Sequence, residues 1–219
     1  MLFRDRTHAG QLLACHLQPF ADRADVVVLA LPRGGVPVAF EVANALHLPL
    51  DVIVARKLGL PGQPEYAMGA IAGDVVILNQ EVVDALDLDA GDIATIARRE
   101  SAEIERRTRL YRVRPALELA GKTVLVVDDG LATGNTMRAA VAAIRKQKPA
   151  RVVVVVPVAA APTCESMRSI ADDVVCLRTP APFRAVGQWY ADFSQVSDDE
   201  VRRLLLASSS TEHAELPAS

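Results

Sequence analysis

The chain has 219 residues, 51% of them hydrophobic, and its 24 Lys and Arg against 27 Asp and Glu leave a net charge of −3. This length accommodates one α/β domain with an added element, and the mild acidity gives no reason to expect nucleic acid or an anionic membrane as partner. The charged N-terminus suits no secretory core, the apolar run Val152 to Pro162 is too short for a bilayer, and Cys15, Cys164 and Cys176 lack metal or redox spacing, so a cytoplasmic protein is expected.

In chain order, Ala9 to Phe20 reads as an opening helix. Val26 to Leu31 is an aliphatic run of strand type, and Val36 to Leu46 a helix behind it. Between them stands Pro32-Arg33-Gly34-Gly35. Adjacent glycines at a strand-to-helix turn permit close backbone approach to a pyrophosphate, and Arg33 supplies a guanidinium for bidentate phosphate contacts. Taken alone, this is also ordinary turn chemistry. Val52 to Ala55 is a second short strand, followed by the basic pair Arg56-Lys57. Leu58 to Met68 is rich in Gly and Pro and is expected to be a loop, with the length of a mobile lid. Ala70 to Leu78 looks like a strand pair turning at Gly73-Asp74. Asp89 to Arg112 reads as a long charged helix, with Glu103–Arg107 and Glu105–Arg109 at supportive i,i+4 spacing. The five arginines from Arg106 to Arg114 could form an anion patch, but a face mixing Glu and Arg reads better as solvated surface.

The most informative stretch comes next. The strand Thr123–Val127 ends in Asp128-Asp129, followed by Gly130-Leu131-Ala132-Thr133-Gly134-Asn135-Thr136 and a helix to Lys146. A small-residue loop at a helix N-terminus aims backbone N–H groups at a phosphate, and two threonine hydroxyls add donors. Two adjacent carboxylates, as acceptors, match the paired hydroxyls of a ribose. A strand Arg151–Val156, a short helix Glu165–Ile170 and a strand Val174–Leu177 follow. The stretch Pro182 to Phe193 then holds four of the nine aromatics, among them Phe183, Trp189 and Tyr190. Such a cluster reads equally as core or as a platform for a planar base. From Ala207 the chain is polar and patternless and is expected to be disordered. Alternating strands and helices predict an α/β fold with a doubly wound, mostly parallel sheet, one domain over residues 1–206 and a tail over 207–219.

The stretch from Val124 to Thr136 resembles the phosphoribosyl-pyrophosphate (PRPP) signature of the type I phosphoribosyltransferases: hydrophobic strand, two acids and a T-G-x-T loop. The resemblance extends over roughly residues 26 to 193. It implies a PRPP site in which Asp128 and Asp129 hold the ribose hydroxyls and bind Mg²⁺, and Gly130 to Thr136 anchor the 5′-phosphate. Arg33, Gly34, Gly35, Arg56 and Lys57 receive the pyrophosphate. It implies release of pyrophosphate as a nitrogenous base or related acceptor attacks the ribose. Arg-Lys, Leu-Pro-Gly and Glu-Tyr in the loop are similar to adenine phosphoribosyltransferase. Glu65 is thereby a candidate acid/base group beside Lys57, and equally a solvent-facing glutamate. Where hypoxanthine-guanine enzymes carry an aspartate before the T-G, this chain has Ala132. The aromatic segment, a hood over about 178–195, resembles theirs; it implies that Phe183, Trp189 and Tyr190 bind the acceptor and Asp192 a second Mg²⁺. About forty residues separate Leu78 from the acid-pair strand, more than a crossover helix requires. The long helix within them, about 89–112, can form a homodimer, cap the site or bind a regulator. Some proteins of this fold bind PRPP as transcriptional sensors without catalysis; the intact pyrophosphate loop favours an enzyme.

Overall fold

A computed structural model describes residues 2–60 and 63–212, with the backbone alone at 63–66 and 209–212. Its centre is a five-stranded sheet in the order β2-β1-β6-β7-β8, formed by Leu50–Val52, Val26–Ala30, Thr123–Val127, Arg151–Val158 and Asp173–Arg178. Every pairing in it is parallel. β1, β6 and β7 are near-continuous aliphatic runs because helices cover both faces. Val26, Val28, Leu125, Val127, Val153 and Val155 face one core, and Val27, Leu29, Val124, Val126, Val152 and Val154 the other. The helices α1 (Arg6–His16), α2 (Gly35–Leu46) and α7 (Asp198–Glu212) belong to the first side; α5 (Asn135–Lys146) and α6 (Ala161–Met167) to the second. This is the doubly wound α/β arrangement the sequence predicts.

The strand order decides where a ligand can sit. From β1 the chain moves outward to β2, and from β6 it moves outward on the other side to β7 and β8. β1 and β6 therefore flank the point where winding reverses, and the crevice beyond their carboxyl ends is the expected ligand position. The loop after β1 is Leu31–Gly34, and the loop after β6 begins with Asp128.

Three expectations need correction. Leu58–Met68 is no loop: β3 (Ala55–Leu60) and β4 (Gln63–Ala72) form an antiparallel hairpin, and β5 (Val75–Leu78) completes a second, three-stranded sheet. Gly69, next in the chain, serves strand pairing, since a Cβ there would lie 2.2 Å from the Ile77 carbonyl oxygen. The strand read at Val52–Ala55 straddles the end of β2 and the start of β3. The tail expected to be disordered from Ala207 is helical to Glu212, because α7 buries Val201, Leu204 and Leu205 in the core; residues 213–219 lie outside the described chain. Boundaries move elsewhere. α1 starts at Arg6, capped by Asp5, whose side chain accepts from the His8 amide. α6 starts at Ala161, with Pro162 in its first turn, where a missing N–H costs nothing. A short helix, α3 (Gln80–Ala85), was not anticipated; the long helix α4 (Ala90–Tyr111) lies within the expected Asp89–Arg112, with Asp89 as its N-cap.

Candidate functional site

The acid pair and the Pro32–Gly35 loop meet face to face. A Cβ on Gly34 would lie 1.9 Å from Asp129 Oδ2; one on Gly35 would lie 2.8 Å from the Val127 carbonyl oxygen and 2.9 Å from Asp128 Cα. Both glycines are thus demanded by the protein itself, which packs the loop after β1 onto the acids after β6. The Pro32–Arg33 peptide between strand and glycines is cis. Burial, and then the charge of Asp129, push the Asp128 carboxyl well above the usual carboxylate range. Burial also raises Asp129, but the Arg6 guanidinium opposes it.

Arg6 is the residue the sequence concealed. Its Nε donates to Asp129 Oδ2 at 2.8 Å, with the two side chains only 12% and 14% exposed. Its Nη1 donates to the Ser194 carbonyl at 2.8 Å, and its Cζ lies 3.9 Å from the Phe193 ring centroid. The N-terminal strap brings it there. The Phe3 amide bonds to the Trp189 carbonyl, and the Ala191 and Asp192 amides bond back to Phe3 and Arg4. No local signal in sequence links position 6 to position 129.

Beside the acids lies the phosphate loop. Gly134 has φ 74° and caps α5 without a side-chain hydrogen bond, leaving the helix start open to an anion. A Cβ there would come within 2.6 Å of Met167 and 2.9 Å of Thr163. Thr163 braces the loop from α6, its hydroxyl donating to the Ala132 carbonyl at 2.6 Å. Leu131 is buried and pairs with Ala159; Thr133 is exposed, and Asn135 and Thr136 are half-buried on the first turn of α5.

A polar cleft of about 410 Å³ joins these parts. Pro32, Ala55, Arg56, Lys57, Gly59 and Thr136 line it, together with Arg99, Glu100 and Arg107 of α4. The structure thus brings Arg56 and Lys57 into one cleft with Pro32 of the first loop and Thr136 of the second. It also corrects the solvated-surface reading of the arginine run at Arg107, which is 18% exposed and paired with Glu103 at 2.6 Å. Arg33 points instead toward α7, with Nη1 3.7 Å from Asp198. Asp198 also accepts from the Tyr111 hydroxyl, whose pKa is pushed up to about 12 by burial and then by that carboxylate.

The hood places the aromatics expected at the acceptor in two different environments. Phe183 and Trp189 stack with centroids 6.3 Å apart at 21°. The Trp189 indole N–H is buried without a partner among the described residues. Tyr190, expected at the acceptor, is 5% exposed and donates its hydroxyl to the Asp129 carbonyl at 2.6 Å; it packs against Phe3 and holds the acid loop. Asp192 is turned to the Ser194 amide and hydroxyl, in a hollow it shares with Arg6, and those hydrogen bonds lower its carboxyl. Among the described residues, no three His, Cys, Asp or Glu side chains converge as a metal site. The Glu65 side chain lies outside the described residues. No helix is long and apolar enough to cross a membrane, among the described residues.

Comparison with known proteins shows the family and the fold. The family model described as phosphoribosyl transferase domain matches residues 7–191. The Mycobacterium tuberculosis H37Rv protein named "Putative phosphoribosyl transferase Rv0571c" is 50% identical over 202 residues, covering 91% of this chain and 45% of its own length. The chain thus spans about half the length of the curated relatives it matches. The crystal structure of TT1426 from Thermus thermophilus is 44% identical with a TM-score of 0.79, covering 94% of this chain and 99% of that one. The AQ2163 protein from Aquifex aeolicus shares the fold at 15% identity, with a TM-score of 0.50 over 80% of this chain and 74% of its own.

Proposed function

The chain belongs to the phosphoribosyl transferase family, and on that premise we propose that it transfers the 5-phosphoribosyl group of PRPP to a nitrogenous base or related acceptor, releasing pyrophosphate. The observation that carries the reading is the contact of the Gly34-Gly35 loop with Asp128-Asp129 at the switch point between β1 and β6. In this reading Asp128 and Asp129 receive the ribose hydroxyls, and the open N-terminus of α5 with Thr133 and Thr136 receives the 5′-phosphate. Pyrophosphate lies toward Arg56 and Lys57 in the polar cleft. The Phe183–Trp189 stack offers the acceptor an aromatic wall.

Catalysis on this arrangement needs no protein nucleophile. As the C1–pyrophosphate bond loosens, positive charge grows on the sugar beside two carboxylates, and negative charge grows on the departing group beside the cleft cations. The acid pair fits Mg²⁺: its two carboxylates repel one another in a buried place, and Mg²⁺ takes few protein oxygens while keeping water and substrate oxygens. Bound there, the ion would neutralise charge on the pyrophosphate. Asp192, whose Oδ1 accepts from the Ser194 amide and hydroxyl, is proposed only for a second Mg²⁺ and not for this one. A reaction of this class on a free metabolite fits a cytoplasmic protein.

The experiment is release of pyrophosphate from PRPP and Mg²⁺ with a panel of purine and pyrimidine bases. Release dependent on one base supports the transferase and names its acceptor. Saturable PRPP binding with no release on any acceptor would refute the transfer and leave a PRPP-binding regulator.

A further inference from the structure

Helix α4 fills the stretch that exceeds a simple crossover, and the structure lays it along the cationic cleft rather than out in solvent. Glu100 is its buried anchor, only 6% exposed. Glu100 Oε2 accepts from Arg56 at 2.9 Å, and Oε1 accepts from Arg99 at 3.0 Å. Each oxygen of one carboxylate thus holds one guanidinium through its Nε and Nη2 groups, and these same donors can serve phosphoryl oxygens. Further along α4, Arg107 reaches the same cleft, with Lys57 and Thr136 also on its walls. Four cationic side chains therefore line the cleft with one acidic one, and two of them pair with it. The acid is attached to the protein, and the cleft opens to the phosphate loop.

We propose that α4 is a substrate-binding element, in which Arg99 and Arg107 engage the pyrophosphoryl group and Glu100 is an internal carboxylate that competes with it for Arg56. The inference rests on the PRPP reading above and extends it to residues of α4. Glu100 keeps Arg56 and Arg99 ordered and satisfied while the cleft holds no substrate. An incoming pyrophosphate, more highly charged and richer in acceptors, displaces it. A plain structural tie between α4 and β3 predicts something different: neutralising Glu100 would loosen Arg56 and weaken anion binding. The sign of one substitution separates the two.

The test is calorimetric titration of the full chain with inorganic pyrophosphate at fixed Mg²⁺, with thermal melts of each variant. Glu100→Gln keeps the shape and removes the charge; it should bind pyrophosphate about tenfold more tightly, the scale of one charge-assisted contact. Arg99→Gln and Arg107→Gln should bind it more weakly, by several-fold each. Because these two carry less buried side chains, they keep the test alive if Glu100→Gln fails to fold. Wild-type affinity in all three, or weakening in Glu100→Gln, overturns the role of α4; PRPP turnover by the wild type would stand untouched. Failure of the wild type to bind either pyrophosphate or PRPP would overturn the functional reading as well.

Discussion

Replacing Gly34 by alanine presses on the acid pair at its contact with the loop after β1. Gly34 sits at φ −61° and ψ −33°, a right-handed helical conformation that alanine adopts freely, so the backbone offers no objection. The methyl group, however, would stand 1.9 Å from Asp129 Oδ2 and 2.7 Å from its Cγ. To reach ordinary contact at 3.4 Å the carboxylate oxygen must retreat by about 1.5 Å, which breaks its 2.8 Å bond to Arg6. Losing a part-buried, charge-assisted hydrogen bond costs about 1–3 kcal/mol, and Gly→Ala at a compatible position returns about 0.4–1 kcal/mol through the unfolded chain. Stability should therefore fall by no more than about 2.6 kcal/mol, leaving a folded protein. Activity should fall far more. A displacement of that size in a positioning group lowers turnover by about 100-fold. Pyrophosphate release and a thermal melt on the same Gly34→Ala preparation measure both numbers. Wild-type turnover in a folded Gly34→Ala protein would refute the idea that Asp129 works where the structure places it.

Three further outcomes are expected. Thr163→Val removes the hydroxyl that holds the Ala132 carbonyl and should raise the KM for PRPP roughly fivefold with little change in kcat; an unchanged KM would detach α6 from the phosphate loop. Leu205→Ala, at a 2% exposed site on α7, should cost about 2–4 kcal/mol by denaturant titration; a neutral result would mean that the helix does not dock. Glu103, hydrogen-bonded first to Arg106 and then to Arg107, has its pKa lowered from 4.5 to about 2. A depressed acid stabilises above its unfolded value and loses that contribution as pH falls toward the folded one. Glu103→Gln should therefore cost about 1 kcal/mol or less at pH 7, discounted for exposure, and the gap in Tm from wild type should close as pH falls toward 2.

What was legible in the sequence was what local chemistry dictates. The buried strands, the acid pair at the end of β6 and the glycines after β1 are each declared within a few residues, and topology then brings the two loops together. The Leu58–Met68 hairpin was hidden because Gly and Pro signal turns, while Gly69 is needed for close strand contact with Ile77. The C-terminal helix was hidden because its serine-rich end resembles a tail, whereas Val201, Leu204 and Leu205 carry its docking. Tyr190 was expected at the acceptor because aromatic clusters do not declare which member is buried. Arg6 and Glu100 were missed for a different reason. Their partners lie 123 and 44 positions away, and an ion pair at such separation leaves no pattern in one sequence.

The central claim is that Asp128 and Asp129 form the ribose end of a PRPP site. Titration of PRPP with Mg²⁺ into the wild type and into a folded Asp128→Asn/Asp129→Asn variant tests it most directly. The account predicts saturable binding to the wild type that is lost in the variant. Equal binding by both would contradict it.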